Sequence, residues 1–161
     1  MAESISLLSD ASREAQYRSL LPQLSSLLED ETDLIANLAN VSAVLKEAFG
    51  FFWVGFYLMK DGELVLGPFQ GPLACTRIAL GRGVCGAAAV QRETLVVPDV
   101  ELFPGHIACS SLSRSEIVVP MVKNDQILGV LDVDSEHLAH FDHVDADWLA
   151  EIVAILVKKH W

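Results

Sequence analysis

The chain predicts an α+β fold, an antiparallel sheet with helices packed on it. Three observations carry that reading. Apolar spacing is helical through residue 50, then gives way at Phe51 to short strand-like runs. Two turn signals, Asp61-Gly62 and Asn124-Asp125, each join a pair of such runs, so hairpins outnumber crossovers. A helical pattern returns only near the end, behind Asp142. The 161 residues fit one domain, which at this size buries ~70% of its unfolded surface.

Residues 12–29 carry leucines at 20, 21, 24, 27 and 28 and read as a helix that Pro22 kinks or restarts. Asp33 caps a second helix with Leu34, Leu38, Val41, Leu45 and Phe49 on one face, stopped by Gly50. Residues 51–59 and 63–69 form the first hairpin across Asp61-Gly62. On its first strand Trp53, Gly55 and Tyr57 face one way and Phe52, Val54 and Phe56 the other, with Gly55 leaving a hollow between two rings. The stretch 67–86 is glycine-rich and irregular, followed by a short helix over 86–91 and a strand over 94–98. A loop over 99–113 leads to the second hairpin, 116–122 and 126–134. Asp142 then caps a closing helix with Val144, Leu149, Ile152 and Leu156 on one face.

Charge and composition exclude several functions. Eleven Lys and Arg against 22 Asp and Glu give a net charge of −11, which repels phosphate backbones and anionic lipid, so neither nucleic acid nor membrane is an expected partner. A hydrophobic content of 52% is too high for disorder, yet no apolar run reaches membrane-spanning length. With Glu3 at the start and no basic-then-apolar leader, a cytoplasmic setting is expected. Three cysteines in a reducing compartment leave reactive thiols, a metal site or buried packing thiols.

Cys75 and Cys109 fall in loops, where ligands and catalytic groups concentrate, and Cys85 opens a helix whose dipole favours the thiolate. Any of the three could therefore act as a thiolate. A zinc site built from them with His106 is set aside, because there is no Cys-x-x-Cys pair and the spacings match no common ligand pattern. Gly81-Arg-Gly-Val-Cys-Gly86 matches a dinucleotide fingerprint, but the flanking hairpins deny it the parallel βαβ unit it needs. What survives is a loop of bare amides entering a helix, suited to a carboxylate. Asp132 and Asp134 share one face of their strand. Whether Glu116 joins them depends on parity. A two- or four-residue loop sets it opposite Val133, pointing away; a three-residue loop or a bulge brings all three together. Converging acids must raise at least one pKa and so supply a proton donor near pH 7. His137, His140, His143 and His160 read as surface residues.

The stretches Gly67-Pro-Phe-Gln-Gly-Pro-Leu-Ala-Cys75, Gly81-Arg-Gly-Val-Cys85-Gly, Phe103-Pro-Gly-His-Ile-Ala-Cys109, Ser113-Arg-Ser-Glu116-Ile-Val-Val-Pro120 and Gly129-Val-Leu-Asp132-Val-Asp134-Ser closely resemble the free methionine-(R)-sulfoxide reductases, enzymes built on a GAF domain. The resemblance covers nearly the whole chain. It implies a single GAF domain over 1–161, with a helical segment 1–50, a sheet of about six strands with the active-site loops over 51–141, and a closing helix 142–161. It implies that Cys109 attacks and Cys75 resolves, with Cys85 auxiliary or alternative. It matches Glu116, Asp132 and Asp134 to the family's polar site residues, Trp53 to the indole on the substrate methyl and Tyr57 to the neighbouring ring. Ala79 and Ser110 depart from the family's usual proline and aspartate, and Ser110 adjoins the attacking thiol.

The mechanism expected on this basis gives each group a task. The acid cluster protonates the sulfoxide oxygen, a kind of help typically worth ~10²–10⁴-fold. Cys109 attacks sulfur, methionine leaves, and the resulting sulfenic acid condenses with Cys75. No bound cofactor or metal is expected; a thioredoxin system, with NADPH behind it, restores the thiols. The acids oppose a thiolate and only Arg114 is a basic neighbour in sequence, so the thiolate is expected to form only once substrate binds. Free substrate is selected because its ammonium meets the carboxylates and its carboxylate the amides of Val84, Cys85 and Gly86. The fold leaves room for a homodimer. The competing expectation is a sensory or redox-sensing GAF module without turnover.

Overall fold

The structure, a computed structural model, describes residues 4–161. Helix α1 (Arg13–Glu29) starts where the Ser12 hydroxyl accepts from the Ala15 amide, and runs unbroken through Pro22. The expected restart there does not occur. Pro22 is exposed, so the carbonyl one turn back is free to meet water. Helix α2 (Leu34–Phe49) is capped by the Asp33 carboxylate and ends at Gly50 with φ 64°.

Strands β1 (Trp53–Lys60) and β2 (Glu63–Gln70) close across Asp61-Gly62, both at positive φ as a type I′ turn requires. A short strand β3 (Arg77–Ala79) pairs with β2 inside the stretch expected to be irregular. Helix α3 (Gly83–Gln91) begins three residues earlier than its spacing suggests, and β4 (Leu95–Val97) follows. A single 3₁₀ turn, Val100–Leu102, opens the next loop. Strands β5 (Ser115–Lys123) and β6 (Gln126–Ser135) form the second hairpin. Helix α4 (His143–His160) begins in a full capping box between Asp142 and Asp145.

The six strands form one antiparallel sheet in the order β3-β2-β1-β6-β5-β4. Each face carries its own core. On one, Val54, Phe56, Ile117, Val119 and Leu131 meet the leucines of α1, α2 and α4. On the other, Trp53, Tyr57, Val118 and Val130 meet α3 and the loops around it. Strand parity assigns Trp53 and Tyr57 as expected, but Phe52 precedes β1 and packs on the α3 side, opposite to its expected face. Among the described residues no helix is long and apolar enough to cross a membrane. Two histidines expected at the surface are half-buried. His140 bonds the Ser135 hydroxyl at 2.7 Å, and His160 the Asn37 amide at 2.9 Å.

Candidate active site

The site floor is the α3-facing side of β1, β6 and β5. Its layout turns on one residue. The β5–β6 turn has two residues, Asn124-Asp125, a loop length that sets Glu116 opposite Val133. A bulge intervenes: Met121 pairs with Gly129 and Val122 with Ile127, so Leu128 has no partner. The register moves by one, and Glu116 comes to lie opposite Asp134. Across β6, Gly55 lies opposite Asp132 and Trp53 opposite Asp134. Three acids and two rings therefore converge.

The hollow expected at Gly55 is filled. A Cβ built there would meet Phe69 Cβ at 2.3 Å and the edge of the Trp53 indole at 2.9 Å. Glycine is required so that β2 and the indole can close over the strand. Trp53 stacks on Phe69 at 5.2 Å and lies 6.0 Å from Tyr57 between ring centres. Both rings also hold the loop that carries Cys75. Trp53 Nε1–H donates to the Pro72 carbonyl at 3.1 Å, and the Tyr57 hydroxyl to the Cys75 carbonyl at 2.9 Å.

A cavity of about 560 Å³, counted to its open mouth, stands on this floor. Cys85, Cys109, Glu116, Asp132 and Asp134 line it together with Trp53, Tyr57 and Val84. Cys75 is joined to Cys109 by a disulfide at the mouth, with Cα atoms 5.5 Å apart. Cys109 is exposed and Cys75 half-buried. Gly86 does not line the cavity. Its amide donates to the Arg82 carbonyl at 2.9 Å, and its missing side chain lets α3 pass 2.6 Å from the Ala79 carbonyl oxygen, measured to the Cβ it lacks. The amides of Gly83, Val84 and Cys85, in the first turn of α3, are the ones that precede the helix's own hydrogen bonds.

Buried acids dominate the electrostatics. Burial pushes Glu116 and Asp134 well above the usual carboxylate range; the Asp132 charge adds to both, and the Asp134 charge adds to Glu116. Burial lifts Asp132 to about 6. Asp134 accepts from Ser113 Oγ at 2.6 Å, while Asp132 Oδ1 has no hydrogen-bond partner. Cys85 lies in the first turn of α3, yet burial and the acids push its thiol well up, the reverse of the dipole's expected effect. It stays a thiol and donates to Glu116 Oε1 at 3.9 Å. Burial lowers His106, so its 4.0 Å approach to Glu116 is between neutral groups. Arg114 is exposed, whereas Arg82, at the cap of α3, reaches the cavity.

Several lining residues escaped the sequence reading, among them Phe52, Ile78, Arg82 and Ser113. Arg82 and Ser113 lie inside the motif stretches that drew notice, so adjacency was their one signal. Ile78 sits on the unforeseen β3.

The GAF domain model matches residues 33–159. "GAF domain-containing protein A" of Dictyostelium discoideum is 61% identical over 157 residues, covering 97% of this chain and 99% of that protein. The free methionine-R-sulfoxide reductase of Escherichia coli is 48% identical over 143 residues, 88% of this chain and 87% of that one. Among solved structures, a free methionine-R-sulfoxide reductase from Neisseria meningitidis in complex with its substrate superposes with a TM-score of 0.95 at 59% identity, covering 98% of this chain and 95% of that one. The chain therefore belongs to the GAF-domain family, and within it to the free methionine-R-sulfoxide reductases.

Proposed function

We propose that this protein reduces free L-methionine-(R)-sulfoxide to methionine, with Cys109 attacking and Cys75 resolving. One observation carries the reading: a Cys75–Cys109 disulfide at the mouth of a cavity floored by three buried carboxyl groups, two of which, Glu116 and Asp134, burial pushes well above the usual carboxylate range. A sulfoxide becomes a good electrophile only when its oxygen is protonated or strongly hydrogen-bonded, and neutral acids supply that proton. Cys109, which lines the cavity, attacks sulfur. The substrate S–O bond breaks as the oxygen passes to the Cys109 sulfur, methionine leaves, and Cys109 is left as a sulfenic acid. Cys75 condenses with it, releasing water and forming the disulfide. A thioredoxin-type dithiol then takes the disulfide's place as oxidised product, and the exposure of Cys109 gives it access. A free thiol at Cys85 and a disulfide that must be reopened each turnover suit a reducing cytoplasm.

Selectivity for the free amino acid follows from two charges. The substrate ammonium faces acids that have no ion pair with any Lys or Arg among the described residues. Its carboxylate faces the first-turn amides of α3 and Arg82. A peptide-bound residue lacks both charges and leaves those groups unmatched, at a cost of ~1–3 kcal/mol each. All these groups come from one chain, so a monomer and a homodimer present the same site.

The test is NADPH consumption with thioredoxin and its reductase, supplied with the free R sulfoxide, the S epimer or the N-acetylated R form. Turnover of the free R form alone is expected. Cys109→Ser abolishes it, and Cys75→Ser gives about one methionine per enzyme with steady turnover lost. No consumption from folded, reduced protein sinks the reading and leaves a sensory module.

A further inference from the structure

Sulfoxide reduction leaves the Cys85 thiol and His106 without a task, although both line the cavity beside the acids it does use. Cys85 Sγ, one Glu116 oxygen and one Asp132 oxygen lie within 4.8 Å of one another, all on buried side chains. They arrive from α3, β5 and β6, so three rigid elements fix the cluster. Asp132 is only 6% exposed, and its Oδ1 is without a hydrogen-bond partner. Buried acids of this kind are retained where a cation or a proton satisfies them, and no Lys or Arg among the described residues does so. Nδ1 of His106 is a second buried atom without a partner, 4.0 Å from Glu116 Oε2.

A thiol, two carboxyl groups and an imidazole form a mixed donor set. Mg²⁺ and Ca²⁺ take oxygen shells and avoid sulfur, whereas Zn²⁺ accepts sulfur, nitrogen and oxygen in a tetrahedron. We propose that the cavity floor is a Zn²⁺ site, with Cys85, Glu116 and Asp132 as ligands and His106 or water in the fourth position. The fit needs little movement. Zn–S of ~2.3 Å and Zn–O of ~2.0 Å set sulfur and oxygen ~3.5 Å apart in a tetrahedron, and Cys85 Sγ stands 3.9 Å from Glu116 Oε1. Binding is an exchange of cations without redox change: Zn²⁺ takes the place of the thiol proton and of any carboxyl proton, which pass to solvent. Cys75 and Cys109 are not ligands, so the site exists in both oxidation states. It overlaps the position assigned to the substrate ammonium, so Zn²⁺ and substrate exclude each other. That consequence rests on the proposed function; the site itself does not.

Co²⁺ serves as the spectroscopic probe, added to the untagged, disulfide-oxidised protein, in which Cys85 is the free thiol. One equivalent is expected to give a thiolate-to-cobalt charge-transfer band in the near ultraviolet and tetrahedral bands in the visible, all lost on adding Zn²⁺. Cys85→Ser removes the charge-transfer band, and Asp132→Asn weakens cobalt binding by more than the ~10–100-fold that loss of an outer-shell partner costs. Circular dichroism confirms that both variants fold. A pale octahedral spectrum, or an undiminished band in Cys85→Ser, overturns the site. The spectrum is read without turnover, so an inactive protein that gives the band upholds the site, and an active one that does not refutes it.

Discussion

Asp132 illustrates how a residue built for chemistry works against the fold that holds it. Its carboxyl titrates at about 6 in the folded protein against 3.8 when unperturbed, because burial disfavours the charged form. Well below pH 3.8 both folded and unfolded chains keep the proton, and the group is neutral to stability. As pH rises through the window from 3.8 to about 6, the unfolded chain releases its proton first, so stability falls. Above that window the whole cost is present. Asp132→Asn removes it. The variant is expected to exceed the parent by roughly 3 kcal/mol above pH 7, from about two pKa units, and to match it near pH 3.5. Urea unfolding at the two pH values checks this, and an equal gain at both sinks the explanation. Activity is expected to move the opposite way, as a proton donor is lost.

Residue identity was the most legible level of this site. Cys75, Cys109, Glu116, Asp132, Asp134, Trp53 and Tyr57 could be singled out from their types and places in the chain. Their ionisation could not. The dipole argument favoured a thiolate at Cys85, yet complete burial beside three acids outweighs the first turn of one helix. Gly86 was misplaced for a related reason. Its amide looked free in sequence, but with the helix starting at Gly83 it already belongs to the internal ladder.

Among the elements, Asp145 carries the most connections. Fully buried, it accepts from the Tyr17 hydroxyl at 2.8 Å and from Arg13 at 2.6 Å, and closes the α4 capping box by accepting from the Asp142 amide at 3.0 Å. One carboxylate thus fastens α1 to the start of α4. Asp145→Ala leaves the Tyr17 hydroxyl buried without an acceptor and Arg13 without its ion pair. A loss of about 3 kcal/mol is expected in urea unfolding, with sulfoxide binding unchanged because the network lies on the sheet face opposite the cavity. Asn in its place keeps the shape and recovers part of the loss. Helix caps and both hairpin turns were legible because the residues that make them are adjacent in sequence. The bulge at Leu128 was not. It trades one residue of pairing for a register that suits both faces, and only the packed sheet decides that trade.

At the scale of the whole molecule, the Cys75–Cys109 bond couples chemistry to stability. It joins two surface loops separated by 34 residues, and closing a loop of that length is worth up to about 4 kcal/mol in the chain-entropy account. Reduction is therefore expected to lower the melting temperature by on the order of 10 °C. A Cys75→Ser, Cys109→Ser double variant is expected to melt at the reduced parent's temperature whatever the redox state. Calorimetry with and without a reductant checks both. An unchanged parent would mean that the loops are held as firmly by Trp53 and Tyr57, whose bonds to Pro72 and Cys75 remain after reduction.

Sequence by itself determined the class of fold, the limits of its three long helices and both hairpins, and the chemical cast of the site. Those depend on spacing, caps and turns, all encoded within a few residues. Tertiary structure decided that Glu116 faces Asp134, that Gly55 is filled by its neighbours, that Cys85 is a thiol and that Arg82 and Ser113 reach the cavity. Each of these depends on how far groups distant in the chain are removed from water and brought against one another, and distance and burial exist only once the sheet has closed.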